Sequence, residues 1–161
     1  MKTKFDTLKD LAAHIADKCT PVDREAAFDA MLDDCYSFEK VGGPFACMSP
    51  SRVLLACDPI AYRCGVNDYA DGEKWTEIGS ETYETEAAEK ARGEFVSELE
   101  AEAEALETEI EEESERADTL EESGEVADAV QLRAMMEPDK ADLAALRENI
   151  NAAVTVELYR L

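Results

Sequence analysis

The stretch from Glu81 to Glu122 consists almost entirely of Glu, Ala and Leu, and it contains few residues that interrupt a helix. These residue types have high helix propensity. Apolar residues recur along it at a spacing near 3.5, the period of a helix packed along one seam: Ala88, Phe95, Leu99, Ala103, Leu106, Ile110, Ala117 and Leu120. The seam is imperfect, because one position falls on Glu113 or Ser114. The pattern predicts one long helix with a packed seam and a charged exterior.

A second helical segment follows Ser123-Gly124, which ends this run. Residues 125–136 predict a shorter helix, and Pro138 is expected to restart the chain because proline breaks a helix interior. The final helix has a clean seam, formed by Leu143, Leu146, Ile150, Val154 and Leu158. Segments of these lengths are typical of an antiparallel helical hairpin.

The first 72 residues predict a compact helical module. One helical face is marked by Phe5, Leu8, Leu11, Ala12, Ile15 and Cys19. Three pairs of a capping residue and a proline, Thr20-Pro21, Ser49-Pro50 and Asp58-Pro59, predict three more helix starts. The first of these helices would turn Phe28, Met31, Leu32 and Cys35 inward and end at a turn, Val41–Pro44. The other two would cover about 51–57 and 60–70.

The predicted fold class is therefore all-α. It comprises an N-terminal helical module (1–72), a linker or irregular segment (73–80) with Gly79-Ser80 as its break, and a long acidic helical hairpin or coiled coil (81–161). No strand signal competes seriously with this interpretation. The hairpin is also the expected dimerisation region, since its apolar seams exceed what one hairpin needs.

The negative charge of the chain is concentrated in one block. Residues 81–128 contain 20 acidic and 3 basic side chains, a net charge of −17 out of −23 for the whole protein. A localised negative field repels phosphates, so neither nucleic acid nor an anionic membrane is an expected direct partner. The expected partner is a basic protein surface.

The rest of the composition predicts a cytoplasmic protein without a cofactor. No apolar run approaches the ~20 residues of a membrane span, and the first residues lack a signal-peptide pattern. The five cysteines, Cys19, Cys35, Cys47, Cys57 and Cys64, include no C-x-x-C pair. Most of them are expected to be buried, reduced thiols, with a metal or redox role as the alternative.

No motif indicates catalysis, and the protein is not expected to be an enzyme. His14 has no nucleophile nearby in the sequence and is expected to be a packed or surface residue. Residues 67–72 match only a fragment of a calcium-binding loop, and Gly42-Gly43-Pro44 lacks the lysine of a phosphate-binding loop. No metal site is predicted.

The density of charge allows a comparison with nucleic acid. A helix of 48 residues is ~72 Å long, so 17 net charges give about one per 4.2 Å, against one per ~1.7 Å of duplex DNA. Two such helices side by side approach the duplex value, so mimicry of DNA would require a dimer. The alternative is that Glu merely solvates a coiled coil. Such coils usually balance Glu with Lys, which is scarce here.

Two features resemble phage proteins. The segment Asp58-Pro59-Ile60-Ala61-Tyr62-Arg63, continued by 67–71, resembles a helix of small phage and prophage proteins of unassigned function. The small size and acidity are similar to those of phage-encoded inhibitors of host defence, the antirestriction and anti-CRISPR DNA mimics. This resemblance implies inhibition of a nucleic-acid-binding defence protein.

The leading hypothesis is therefore an inhibitor that presents carboxylates to the DNA or RNA groove of a host nuclease or CRISPR-type complex, acting as a homodimer. The residues expected to replace phosphates are Glu98, Glu102, Glu104, Glu109, Glu111, Glu112, Glu113 and Glu115. The alternative is a phage scaffold or adaptor whose acidic coiled coil only oligomerises.

Overall fold

The computed structural model of this protein describes residues 4–38, 43 and 47–158. In chain order the elements are α1 (Lys4–Lys18), α2 (Arg24–Cys35), α3 (Pro50–Cys57), α4 (Pro59–Gly72), β1 (Trp75–Ile78), β2 (Glu81–Glu84), α5 (Thr85–Ser123) and α6 (Val126–Thr155). The all-α fold class is confirmed, since helices make up 81% of the described residues and the strands there are few and short. The predicted turn at Val41–Pro44 lies outside the described residues except for Gly43.

The chain forms two compact units, and their limits differ from the expected boundary at residue 72. One unit combines Met1–Lys18 with Glu89–Leu161, and the other is Cys19–Ala88. Helix α1 belongs with the C-terminal hairpin because it packs on α6 and completely buries Leu11 and Ile15. The apolar face of α1 correctly predicted a packed helix. The spacing of apolar residues does not say which other helix covers that face.

The unit formed by Cys19–Ala88 has an aromatic core. Phe28 of α2 and Tyr62 of α4 meet edge to face, with ring centroids 5.5 Å apart, and Val66 completes the buried cluster. Gly65 is needed here, since a Cβ at this position would lie 2.6 Å from the Phe28 ring. Ring contacts continue from Tyr69 to Trp75. The core therefore joins α2 and α4 to the strands that follow.

The start of α2 differs from the prediction. The N-cap is Asp23, whose carboxylate accepts hydrogen bonds from the amides of Glu25 and Ala26. Thr20-Pro21 does not begin the helix, because residues before Asp23 are not helical and Val22 donates its N–H to the carbonyl of Thr82 on β2. A bond to a distant strand thus overrides a local capping signal.

The other two predicted starts are confirmed, with one addition. Asp58 caps α4 by accepting from the amide of Ala61. At α3, Ser49 occupies the N-cap position without a side-chain hydrogen bond. Asp33 of α2 supplies the carboxylate instead, accepting from both the amide and the hydroxyl of Ser51, at 2.9 and 3.1 Å.

The predicted linker contains the first strand and the turn of a β-hairpin, and the second strand occupies the first four residues of the segment predicted as acidic helix, so the expectation of an irregular segment without strands was wrong. Strands β1 and β2 pair antiparallel from Trp75↔Glu84 to Ile78↔Glu81. Gly79-Ser80 forms the two-residue connection, and Gly79 has the positive φ of 65° that such tight turns require. Helix α5 consequently begins at Thr85, four residues later than predicted.

The C-terminal half is an antiparallel helical hairpin, as predicted. Along α5 the partners on α6 run in reverse order, since Glu107 pairs with Arg147 and Asp118 with Arg133. The buried positions of the hairpin are largely small residues, Ala103, Ala117 and Ala129, together with Met136, which is completely buried. Near its end, Arg92 donates to the carbonyl of Val156, the C-cap residue of α6.

Helix α6 is continuous, so the predicted break at Pro138 was wrong. The helix extends from Val126 to Thr155 with Pro138 inside it. A proline in a helix interior costs ~3 kcal/mol through a lost hydrogen bond and a steric clash. Burial of Met136, Ala129 and Asn149 on both sides of Pro138 offsets this cost, and the proline ring is exposed.

The cysteines are not buried, contrary to the prediction. Cys35, Cys47, Cys57 and Cys64 are exposed, and Cys19 is half-buried. Cys35 and Cys57 are the last residues of α2 and α3, where little of a side chain can be covered. Cys64 faces away from the core because its neighbours two positions away, Tyr62 and Val66, face inward.

The first prediction concerns Pro138. Replacing Pro138 with Ala restores a backbone donor in the middle of α6 and should raise the free energy of unfolding by about 1–3 kcal/mol. Chemical denaturation followed by circular dichroism measures the change. Pro59→Ala is the matched control, since Pro59 occupies the first turn of α4, where proline is favourable. An equal gain from both substitutions would contradict the explanation.

The second prediction concerns alkaline pH. Tyr62 and Tyr83 donate to Asp29 and Glu81 at 2.7 Å, and burial, reinforced by these carboxylates, raises each tyrosine pKa to about 12. An unfolded tyrosine has a pKa of ~10. The two protonated tyrosines therefore contribute their full stabilisation of the folded state below pH ~10, and this contribution is lost as the pH rises towards 12.

Denaturation between pH 8 and 11.5 should accordingly show stability falling above pH ~10, and less steeply in a Tyr62→Phe, Tyr83→Phe double variant. Tyr36→Phe serves as the control, since Tyr36 is 62% exposed. A double variant with the same pH slope as the native chain would disprove the assignment.

Candidate functional site

Helix α5 carries most of the charge of the hairpin. It has 16 acidic and 3 basic residues, a net charge of −13, whereas α6 has 5 acidic and 3 basic residues, a net charge of −2. The 39 residues of α5 extend for ~58 Å. The candidate surface is therefore one side of the hairpin, and the second helix adds little charge to it.

The eight glutamates predicted to bind a partner do not share one face of α5. At 3.6 residues per turn, Glu98, Glu102, Glu109 and Glu113 lie on a flank beside the apolar seam, with Glu112 at its outer edge. Glu104, Glu111 and Glu115 lie on a different side, turned away from the seam. All eight are exposed except Glu113, which is half-buried where the seam is interrupted.

The outward side of α5 has a continuous row of acids, which we call the acid stripe. Its seven members follow one another at steps of 4, 3, 4, 4, 3 and 4 residues, and all are exposed: Glu100, Glu104, Glu107, Glu111, Glu115, Asp118 and Glu122. The stripe is ~33 Å long, about one carboxylate per 5.5 Å.

Four stripe members were absent from the sequence prediction, namely Glu100, Glu107, Asp118 and Glu122. The signal that could have identified them is the alternation of three- and four-residue steps, which places side chains on one helical face. The prediction followed the local density of glutamates and so mixed two sides of the helix.

Two stripe members are neutralised by arginines of α6. Arg147 contacts Glu107 at 2.7 Å, and Arg133 contacts Asp118 and also Glu121 at 2.6 Å. The other five members form no ion pair with any residue in the described ranges. Like charges one helical turn apart destabilise a helix by ~0.2–0.5 kcal/mol per pair, so this row of carboxylates is maintained against an energetic cost.

A groove lies beside the flank of α5, where α1, α5 and α6 meet. It has a volume of about 330 Å³ and is lined by Thr7, Leu99, Glu102, Leu106, Asp142, Ala145, Leu146 and Asn149. Glu102 is the one residue of the predicted eight that lines it. Sequence reasoning did not find the groove, because it depends on α1 packing beside the hairpin.

His14 is a packed residue of α1. Its ring is 5.4 Å from that of Phe95 on α5, and its Nε2 is enclosed without a hydrogen-bond partner in the described part of the chain. Within the same residues, no three His, Cys, Asp or Glu side chains are grouped so that they could bind a metal. Nor does any helix there combine the length and apolar character needed to cross a membrane.

Comparisons with models of protein families, with curated proteins and with solved structures give no match.

Proposed function

We propose that this protein inhibits a basic nucleic-acid-binding protein, of the kind found in host-defence nucleases and CRISPR-type complexes, by occupying its DNA or RNA groove with the acid stripe. The observation that supports the proposal is the stripe itself. Five of its seven carboxylates are exposed and have no cationic partner in the described residues, although crowding them costs helix stability.

The arrangement of the stripe favours binding over mere solvation. A coiled coil kept soluble by glutamate needs no particular order among its exposed acids. Here the acids follow one face of α5 for about six turns, a length of ~33 Å. A groove that binds a phosphate backbone presents Lys and Arg along a line, so a straight row of carboxylates complements it.

The charge density implies two copies of the chain. One hairpin has a net charge of −15 over ~58 Å, the sum of −13 and −2 for its helices, or about one charge per 4 Å. Two copies side by side give about one per 2 Å, near the ~1.7 Å of duplex DNA. The proposal therefore includes a homodimer. Val126 and Val130 are exposed one helical turn apart on α6 and offer apolar contact area for it.

The third prediction tests the stripe. We expect the immobilised protein to capture a nucleic-acid-binding protein from bacterial lysate and to displace labelled duplex DNA from it. Replacing Glu104, Glu111, Glu115 and Glu122 with Gln should weaken displacement at least tenfold, because several charge contacts are lost together. Higher salt should weaken the native interaction by screening.

The matched control changes Glu98, Glu109, Glu112 and Glu113 to Gln, which removes the same charge from the flank. Circular dichroism verifies that both variants remain helical. A smaller loss, under threefold, is expected for the control. Equal losses in both variants would reject the stripe as the binding face, and a captured protein with no affinity for nucleic acid would favour the scaffold interpretation.

The fourth prediction concerns stoichiometry. Sedimentation equilibrium at tens of micromolar, where a specific dimer with micromolar or lower Kd persists, should give the mass of two chains. Replacing Val126 and Val130 with Gln removes exposed apolar surface from one face of α6 and should shift the equilibrium towards one chain. A native protein with the mass of a single chain would contradict the dimer.

A further inference from the structure

The groove at α1, α5 and α6 combines an apolar floor with acidic edges. Leu99 and Leu106 of α5 and Leu146 of α6 are half-buried and provide the floor. Glu102 and Asp142 are exposed residues of its lining, one on each long helix. Neither carboxylate forms an ion pair with a described residue. A ligand for this groove should therefore have an aliphatic portion and a positive charge.

Asn149 gives a second, independent indication of a ligand. Only 7% of this residue is exposed, and its side chain lines the groove. The side-chain amide has no hydrogen-bond partner in the part of the chain that the structure describes. The amide atoms themselves are not fully enclosed, so they are free to form hydrogen bonds with whatever occupies the groove. Such a group commonly acquires its partner from a bound molecule, and the amide oxygen can accept from a cationic donor.

We infer that this groove receives a lysine or arginine side chain of the partner protein. The methylene stem packs on the three leucines, and the cationic head lies between Glu102 and Asp142, where it donates to the amide oxygen of Asn149. Long basic side chains bind in this way, since their stems are apolar and their heads are charged. The inference rests on the proposed function in one respect, the basic character of the partner.

The choice of a protein side chain follows from the position of the groove. It lies beside the flank of α5, on the same helix as the acid stripe, and Glu102 is part of both flank and groove. A basic partner held by the charge of α5 therefore has Lys and Arg within reach. The stripe recognises charge alone, whereas the groove also selects for length and shape.

The fifth prediction uses small probes, so that it does not depend on identifying the partner. The native protein, with 13C-labelled leucine methyl groups and 15N-labelled asparagine, is titrated with N-acetyl-lysine methylamide and followed by NMR. We expect shifts at Leu99, Leu106 and Leu146, and at the Asn149 side-chain amide. N-acetyl-norleucine methylamide has the stem without the charge, and methylammonium has the charge without the stem. Each should bind at least fivefold more weakly.

Variants distinguish binding of the lysine probe in the groove from a general attraction to the acidic residues of α5. Glu102→Gln with Asp142→Asn should weaken lysine binding at least fivefold. Glu104→Gln with Glu111→Gln removes the same charge from the stripe and should change it less than twofold. Asn149→Leu replaces the amide with apolar groups of similar shape and should keep the fold. This variant should lose the preference for lysine over norleucine.

Three outcomes would overturn the inference: equal shifts with lysine and norleucine, equal weakening by the groove and stripe variants, or spermidine binding a hundredfold tighter than the lysine probe. The last would identify a site for a free polyamine. These outcomes are independent of the displacement experiment, because stripe variants can abolish inhibition whether or not the groove binds lysine.

Discussion

The stability of the hairpin depends on one apolar seam, because the packing of this seam must outweigh the mutual repulsion of many like charges. Helix α5 has sixteen acids on 39 residues, and isolated helices are marginal even without such repulsion. Its stability must come from tertiary contacts. Ala103 and Ala117 of α5 and Met136 of α6 are buried in the hairpin, and α1 adds the buried side chains of Leu11 and Ile15. Because α6 is nearly neutral, it adds little electrostatic repulsion against α5.

The elements predicted best are those with long, unbroken patterns. The seam of α5, the hairpin turn after Ser123 and the starts of α3 and α4 follow from local composition and capping residues. The errors arose where distant contacts decide. Val22 bonds to β2 and moves the start of α2, and packing of Met136 keeps α6 helical through Pro138. The β-hairpin is different, because Gly-Ser between two short segments rich in β-formers is a hairpin signal that was interpreted as a break.

The candidate site was predictable in location but not in detail. Composition identified α5 as the acidic element, while the division of its acids between stripe and flank required the phase of the helix. The ion pairs from Arg133 and Arg147 required the register of the hairpin. The groove was beyond sequence reasoning, since it brings Thr7 of α1 near residues more than ninety positions away. The solitary amide of Asn149 has no signature in a helical pattern.

The unequal charge of the two long helices gives the hairpin a polarity across its width. With −13 on α5 and −2 on α6, the field is strongest on one side, so a positively charged body is attracted towards α5 before any atoms touch. Such steering raises the rate of encounter and aligns the two molecules during diffusion. In the proposed complex, capture and retention would then be governed by different groups: the open row of carboxylates would set how fast the complex forms, and the enclosed contacts would set how long it lasts.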